Sequence, residues 1–144
     1  MIGRPAAAED VPALAGMAAA SWQMAFVGIL EAEALAARDA AYFGGRFGQV
    51  WERISVAVDS NGGMAGFLLV TAGHIDMLFV REPGRGVGSL LLRHAEMQGA
   101  RSLECFRDNA AARRFYGHAG WQPVAAYDRS FLGKVRAFVR YEKD

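Results

Sequence analysis

The sequence is poor in cysteine and in clustered metal ligands. Cys105 is the only cysteine among 144 residues, and the three histidines, at positions 74, 94 and 118, lie far apart. One thiol cannot form an internal disulfide, and the Cys and His spacing is not that of a zinc site. The sequence therefore excludes a disulfide framework and predicts no metal centre.

The chain also lacks an excess of charge of either sign and a long apolar run. The chain has 16 Lys and Arg residues and 15 Asp and Glu residues, which gives a formal net charge of +1 at pH 7. Binding to a phosphate backbone needs a basic face, so we expect no nucleic-acid partner. No apolar run approaches the ~18 residues that span a membrane, and no signal peptide is recognisable, so we expect a cytoplasmic protein without a membrane partner.

The composition that is present predicts one globular domain over residues 1–144, since 53% of the residues are hydrophobic and 22% are charged. Alanine dominates the first part of the chain. It predicts a helix from about residue 8 to residue 26, a break near Gly28, and a second helix over residues 31–43 that ends at Gly44 and Gly45.

From residue 54 onward the pattern becomes that of strands. The runs ISVAVD, MAGFLLVT and HIDMLFV are separated by the turn signals Asn61-Gly62 and Ala72-Gly73, which predicts an antiparallel meander. A helix follows, with Val87, Leu91 and Ala95 as an apolar stripe. The strand SLECF after it should lie parallel to HIDMLFV and form a βαβ unit.

A further helix over residues 109–119 and two closing strands complete the predicted order. The fold class is therefore mixed α/β, with a central, mostly antiparallel sheet and about four helices. The last strands, over residues 129–142, offer an edge at which two copies of the chain could pair as a homodimer.

The stretch GRGVGSLLLR, residues 84–93, places three glycines at the start of a predicted helix. Glycine lets a ligand approach the backbone closely, and a helix N-terminus presents free amides and partial positive charge, which together suit a phosphate group. Arg85 adds a cation. The spacing fits neither a P-loop, which needs a lysine, nor the dinucleotide fingerprint. An ordinary glycine turn therefore stays open at this point.

A second motif, NAAARRFYGHAGW, occupies residues 109–121. On a helix, Asn109, Arg113 and Tyr116 share one face because they are spaced at i, i+4 and i+7, and an apolar face lies beside them. Taken alone, Asn109 is better explained as a helix N-cap and Tyr116 as a half-buried core residue.

Together the two motifs resemble the GCN5-related N-acetyltransferase family. In that family a loop [RQ]-x-x-G-x-[GA] before a helix holds the pyrophosphate of acetyl-coenzyme A, and Gly86 and Gly88 match its two small positions. The family segment N-x-x-A-x-x-F-Y-x-x-x-G-[FW] is matched at every spacing. Pro83 departs from the pattern, because it stands where the family has Arg or Gln and it lacks an N–H group.

The resemblance covers most of the chain and implies the acyl-CoA N-acyltransferase fold. It implies an enzyme that moves the acetyl group of acetyl-coenzyme A to a primary amine of a small molecule or protein by direct attack, without a metal. The alternative is a catalytically weak module of the same fold that binds acyl-coenzyme A or a partner. A loop binding a nucleotide in another enzyme class is disfavoured by the glycine spacing.

The resemblance also implies roles for individual residues. Tyr116 would protonate the leaving thiolate, while Asn109 and Arg113 would face the cofactor. The pantetheine arm would follow the strand Leu78-Phe79-Val80, with the amide of Leu78 or its neighbour polarising the thioester carbonyl. The loop residues that would hold the pyrophosphate are Gly84, Arg85, Gly86, Val87, Gly88 and Ser89.

Two assignments stay open. His74 stands where some relatives carry a glutamate base, and Asp76 is the second candidate, acting through a water chain; both are expected to alternate with Leu78 on one face of the strand. His74 is equally readable as a surface residue at a strand end. Trp22 and Phe26, four residues apart, would line the acceptor site or pack in the helix core, and an apolar or aromatic amine would suit them.

Overall fold

The computed structural model describes residues 2–144, and its elements are bounded as follows. The strands are β1 (Ile2–Pro5), β2 (Ile54–Val58), β3 (Met64–Thr71), β4 (His74–Val80), β5 (Ser102–Phe106), β6 (Gln122–Phe131) and β7 (Lys134–Glu142). The helices are α1 (Val11–Phe26), α2 (Ala32–Ala37), α3 (Ala40–Val50), α4 (Val87–Met97) and α5 (Ala110–His118).

The strands form one sheet in the order β1-β2-β3-β4-β5-β7-β6. Every neighbouring pair is antiparallel except β4 and β5, which are parallel and joined through α4. The mixed α/β class, the meander and the βαβ unit are confirmed. None of the helices in residues 2–144 has the length and apolarity needed to cross a membrane.

The helix predicted over residues 31–43 is wrong, because two helices occupy this region. α2 ends at Ala37, and the Asp39 side chain caps α3 by accepting the amide of Tyr42 at 2.8 Å. α3 then runs through both glycines to Val50. Phe43 and Phe47 lie on its inner face, 2% and 0% exposed, and their burial outweighs the low helix propensity of glycine.

The strand β1 is absent from the sequence prediction. It pairs antiparallel with β2, with Arg4 opposite Val56 and Pro5 opposite Ser55. Its sequence, IGRP, is short and contains glycine and proline, so it carries no strand signal. Proline is tolerated there because β1 lies at the edge of the sheet.

Each face of the sheet covers its own core. One face packs against α1, α2 and α3 and is rich in aromatic residues, among them Phe67 and Phe106; we call it the α1/α3 face. The other packs against α4 and α5 around Leu68, Leu103 and the fully buried Trp121; we call it the α4/α5 face.

Strand β4 contains an irregularity that displaces its side chains. The register against β3 shifts between Leu69 and Val70, and Asp76 has no opposite residue. As a result Ile75 and Leu78, three residues apart, both pack on the α4/α5 face. The expected strict alternation of His74, Asp76 and Leu78 on one face is therefore wrong, since a β-bulge inserts one extra residue.

Candidate functional site

Strands β4 and β5 separate in the middle of the sheet. They are paired only where His74 lies opposite Ser102 and Ile75 opposite Leu103. Beyond these pairs β4 continues to Val80 and β5 to Phe106 without facing partners on this side. The gap between residues 76–80 and residues 104–106 is called the β4–β5 opening here. An extended ligand can pair with the strand edges that it leaves free.

The backbone of Leu78 faces this opening. Arg81 donates its amide to the Ala65 carbonyl at 2.8 Å, which makes Ala65 and Arg81 a hydrogen-bonded pair of the β3–β4 ladder. Such pairs alternate in an antiparallel ladder, so Leu68 and Leu78 form a pair without mutual hydrogen bonds. The N–H and C=O groups of Leu78 therefore point away from β3, toward β5.

The same argument applies to β5. Arg107 donates its amide to the Ala137 carbonyl at 3.0 Å, so the peptide groups of Glu104 and Phe106 point away from β7 and toward the opening. The Phe106 carbonyl accepts the Asn109 amide at 3.0 Å. The opening is thus bordered by peptide donors and acceptors from both strands.

Tyr116 lies at the opening on the α4/α5 face. Leu78, Val80, Cys105 and Phe115 pack into the same apolar cluster as Tyr116. Its hydroxyl makes no hydrogen bond to any residue in the range 2–144. Burial raises the pKa of Tyr116 well above its usual value of 10.0, and Cys105 adds to the rise. The phenol therefore stays protonated over the working range of pH and is able to donate its proton.

Cys105 is a second titratable side chain in the same cluster. Burial raises the pKa of its thiol to about 11, although Arg113 acts in the opposite direction. The nucleophilic form of cysteine is the thiolate, so Cys105 is a packing residue at neutral pH and a poor nucleophile.

The glycine-rich loop ends in an uncapped helix. Gly84 and Gly86 have φ angles of +81° and +77°, and Gly86 is the N-cap of α4 without a side-chain cap. Leu90 is the first residue whose amide bonds back within the helix, to the Gly86 carbonyl at 3.1 Å. The amides of Val87, Gly88 and Ser89 remain free, which is the arrangement that binds anions at a helix N-terminus.

The structure places a carboxylate, that of Glu82, beside Arg85 of this loop. The guanidinium of Arg85 is paired with the Glu82 carboxylate at 3.2 Å, and both side chains are exposed. An exposed pair of this kind is weak, so an anion at the start of α4 can compete for Arg85.

Asn109 and Arg113 both have structural partners. The Asn109 side chain accepts a hydrogen bond from the Ala112 amide at 3.2 Å and thus forms the helix N-cap of α5 that the sequence also predicts. Arg113 donates from Nε to the Tyr141 hydroxyl at 3.0 Å and from Nη1 to the Arg107 carbonyl at 3.3 Å. Both side chains brace α5 beside the opening.

The two candidate bases occupy different places. His74 lies at the closed end of the β4–β5 opening, with Nδ1 2.8 Å from the Ser102 hydroxyl. Asp76 is exposed and sits in the bulge, two residues before Leu78. Along the strand Asp76 is therefore closer to Leu78 than His74 is.

Glu104 is a polar residue of the opening that the sequence analysis missed. Its carboxylate accepts hydrogen bonds from the Tyr127 hydroxyl and from Nε of Arg129, the latter at 3.0 Å. Burial raises the pKa of Glu104, but the bonds from Arg129 and Tyr127 lower it by more, so it lies below its usual value. The available signal was a charged residue inside the apolar strand SLECF.

Trp22 and Phe26 have different places in the structure. Trp22 is 7% exposed and belongs to the core, with its ring 4.7 Å from that of Phe26. Phe26 is half-buried, and its ring lies 5.1 Å from Phe106 at the end of β5. Phe26 therefore borders the opening on the α1/α3 face, and Trp22 supports it from behind.

Many solved structures have a similar fold. YjaB from Escherichia coli is 23% identical with a TM-score of 0.76, over 99% of this chain and 97% of that one. A GCN5-related N-acetyltransferase from Rhodopseudomonas palustris is 28% identical with a TM-score of 0.75, over 99% and 94%. PaiA N-acetyltransferase from Thermoplasma acidophilum, solved in complex with coenzyme A, is 16% identical with a TM-score of 0.74, over 99% and 98%.

No curated protein matches the sequence. The model of the acetyltransferase (GNAT) family matches residues 7–121, which is most of the chain and contains both the glycine-rich loop and the Tyr116 helix. With the seven-stranded sheet and the β4–β5 opening, this match identifies the protein as a member of the GNAT acetyltransferase family.

Proposed function

We propose that the protein is an N-acetyltransferase that moves the acetyl group of acetyl-coenzyme A to a primary amine by direct attack. The observation that carries the proposal is the β4–β5 opening, which ends beside the uncapped N-terminus of α4. An extended arm with a pyrophosphate at one end and a thioester at the other fits both features at once.

The acyl donor has a chemical match for each of its parts. The free amides of Val87, Gly88 and Ser89 suit the pyrophosphate, with Arg85 as an added cation. The free edge of β4 suits the amides of the pantetheine arm, which would add to the sheet as a short strand. The N–H of Leu78 is then the donor available to the thioester carbonyl.

The chemical step forms a nitrogen–carbon bond and breaks the carbon–sulfur bond. The neutral amine attacks the thioester carbon, and negative charge develops on the carbonyl oxygen, where the Leu78 N–H stabilises it. When the intermediate collapses, Tyr116 donates its proton to the departing sulfur, and the proton that the nitrogen loses on becoming an amide restores the Tyr116 phenol. Its raised pKa keeps the phenol protonated at neutral and moderately alkaline pH, but it also makes the phenol a weaker acid.

Before attack, the amine must lose a proton, since a free lysine-type amine titrates near ~10.4. We assign the proton acceptor to Asp76 or His74. Asp76 is favoured by its exposure and by its position in the bulge two residues from Leu78. His74 is the alternative, acting through water from the closed end of the opening.

The acceptor would enter from the α1/α3 face. Phe26 and Phe106 form an apolar border there, and Glu104 provides a fixed carboxylate behind it. This surface suits an amine with an apolar body. Arg129 neutralises much of the Glu104 charge, so the site does not favour a polycation.

Thiol release with acetyl-coenzyme A and a panel of primary amines tests the proposal. Tyr116→Phe should lower kcat about 10²-fold or more, with the affinity for acetyl-coenzyme A unchanged. Tyr42→Phe on α3 removes a hydroxyl elsewhere and should keep native turnover. Binding of acetyl-coenzyme A without thiol release for any amine would support the non-catalytic module, and native turnover by Tyr116→Phe would remove Tyr116 as the acid.

A further inference from the structure

Arg38 stands apart from the other arginines of the protein. It is half-buried, and within residues 2–144 its guanidinium has neither an acidic partner nor a hydrogen-bond acceptor. The other arginines without such a partner in this range, Arg46, Arg53, Arg93 and Arg114, are all exposed and solvated by water. The N–H donors of Arg38 are therefore available to a ligand in a partly apolar environment.

Aromatic rings hold Arg38 in place. Its Cζ lies 4.0 Å from the Tyr42 ring centroid, 5.5 Å from that of Phe131 and 5.9 Å from that of Trp22. Stacking on a ring fixes the plane of a guanidinium but leaves its N–H donors at the edge of that plane. Arg38 is thus oriented in advance for a planar, bidentate acceptor, which is the geometry of a carboxylate.

A second, independent feature lies in the same cluster. Trp22 is 7% exposed, and its Nε1 is the one buried side-chain donor in residues 2–144 that has no hydrogen-bond partner. Buried polar groups are almost always satisfied, so this N–H group can take an acceptor from outside the protein, such as a ligand oxygen. Two donors without a partner in residues 2–144 therefore belong to neighbouring side chains.

Phe131 connects the cluster around Arg38 to the β4–β5 opening. Phe131, under Arg38, lies 5.8 Å from the Phe106 ring at the end of β5, and Phe106 lies 5.1 Å from Phe26. The stretch between the opening and Arg38 is therefore lined by aromatic rings. An acceptor that spans it needs an apolar body between its amine and its anionic end.

We propose that the acceptor is a small amine that carries a carboxylate at the far end of an apolar body, with the carboxylate bound by Arg38 and by Nε1 of Trp22. This inference rests on the proposed acetyltransferase function and specifies its substrate class. The amine reaches the opening past Phe26 while the carboxylate stays at Arg38.

A matched set of acceptors tests the proposal: 4-(aminomethyl)benzoate, its methyl ester, and benzylamine, each assayed by thiol release with acetyl-coenzyme A. The native protein should prefer the acid by about 10-fold or more in kcat/KM, mainly through KM, because a charge-assisted bidentate pair is lost in the neutral compounds. A peptide with a second-position glutamate, compared with the glutamine peptide, separates a free carboxylic acid from an acidic side chain as the source of the carboxylate.

Variants of Arg38 and Trp22, with a variant of Arg46 as the control, isolate the effect. Arg38→Gln should lower kcat/KM for the acid much more than for benzylamine and so abolish the preference, while Arg38→Lys should retain only part of it. Arg46→Gln on α3 removes an equal charge from an exposed position and should keep the native preference. Trp22→Phe should weaken the preference without abolishing it.

Three results would overturn the proposal. The first is a higher kcat/KM of the native protein for benzylamine than for the acid. The second is an equal loss of kcat/KM for the acid and for benzylamine in Arg38→Gln. The third is a preference for the carboxylate only when it belongs to a peptide. Calorimetry with acetyl-coenzyme A in parallel distinguishes failure of the acetyltransferase function from failure of the carboxylate site. Absence of donor binding would refute the acetyltransferase function itself, whereas donor binding with turnover of neutral amines alone would refute only the carboxylate site.

Discussion

Gly88 and Phe115 are in contact, and they join the two sequence motifs in space. A Cβ atom built on Gly88 would lie 3.2 Å from Cζ of Phe115 and 3.4 Å from Cε1. The absence of a side chain at the start of α4 thus lets α5 approach. Since Phe115 precedes Tyr116 in α5, the same contact sets the position of the tyrosine beside the opening.

Replacing Gly88 by alanine should disturb this contact. Gly88→Ala gains helix propensity, but the Phe115 ring must shift, so we expect thermal stability no higher than native and a lower kcat. Gly45→Ala is the control: Gly45 lies in α3, and nothing is within 4 Å of its Cβ position. It should stabilise the protein by about 0.5–1 kcal/mol. Equal stabilisation by both variants in thermal unfolding would refute the close contact.

The raised pKa of Tyr116 predicts the alkaline side of the pH–rate profile. A phenol whose pKa is raised keeps its proton to a higher pH, while the amine acceptor becomes more reactive as it deprotonates. We therefore expect kcat/KM to rise with pH and to show no decrease at pH values under about 10, the usual pKa of tyrosine. A fall at lower pH that disappears in Tyr116→Phe would show that the phenol ionises early.

The raised pKa of Cys105 predicts that no acyl-cysteine forms. With a thiol pKa of about 11, Cys105 should react slowly with iodoacetamide at pH 7.5 in the folded protein and rapidly after unfolding. Cys105→Ala should retain acetyl transfer. Mass spectrometry after mixing with acetyl-coenzyme A alone is the direct check, and an acetyl adduct on Cys105 would contradict direct attack.

Glu31 predicts how stability depends on pH. Its carboxylate meets Arg136 at 2.7 and 2.8 Å, and the hydrogen bonds from Arg136 lower its pKa from 4.5 to about 2. A carboxyl group whose pKa is lowered by folding stabilises the fold at pH values above its usual pKa of 4.5. This stabilisation is lost as the pH falls from 4.5 toward 2.

Glu31→Gln should therefore lower Tm at pH 7, and its difference from the native protein should vanish near pH 2. Glu33→Gln, at an exposed position of α2, should follow the native protein at every pH. A Tm difference for Glu31→Gln that is the same at pH 7 and pH 2 would show that the ion pair does not provide the stabilisation.

Much of the fold follows from local patterns in the sequence. The meander is encoded by turns such as Asn61-Gly62, where the Asp59 side chain accepts the Asn61 and Gly63 amides. The α4 stripe is encoded by helical periodicity, and Val87 and Leu91 are 3% and 1% exposed. Such signals need only neighbouring residues, so a sequence displays them directly.

The features that sequence reasoning missed depend on distant residues. The bulge at Asp76 exists only against β3, and it moves Leu78 to another face. Glu104 becomes part of the site through Tyr127 and Arg129, more than twenty residues away. Arg38 is unpaired in a cluster that joins α1, α3 and β6. No local pattern reports such tertiary contacts.

The central claim is that the start of α4 and the β4–β5 opening bind acetyl-coenzyme A. Gly86 and Gly99 lie just outside the two ends of α4, both with positive φ and both with open space at the Cβ position. Alanine at either position should cost similar strain and lower Tm by similar amounts. Only Gly86 belongs to the predicted pyrophosphate site.

Calorimetric titration of acetyl-coenzyme A into the native protein, Gly86→Ala and Gly99→Ala measures this binding. We expect one site per chain, native affinity in Gly99→Ala, and an affinity about tenfold lower in Gly86→Ala. No binding to the native protein at millimolar acetyl-coenzyme A, or equal weakening in both variants, would contradict the central claim.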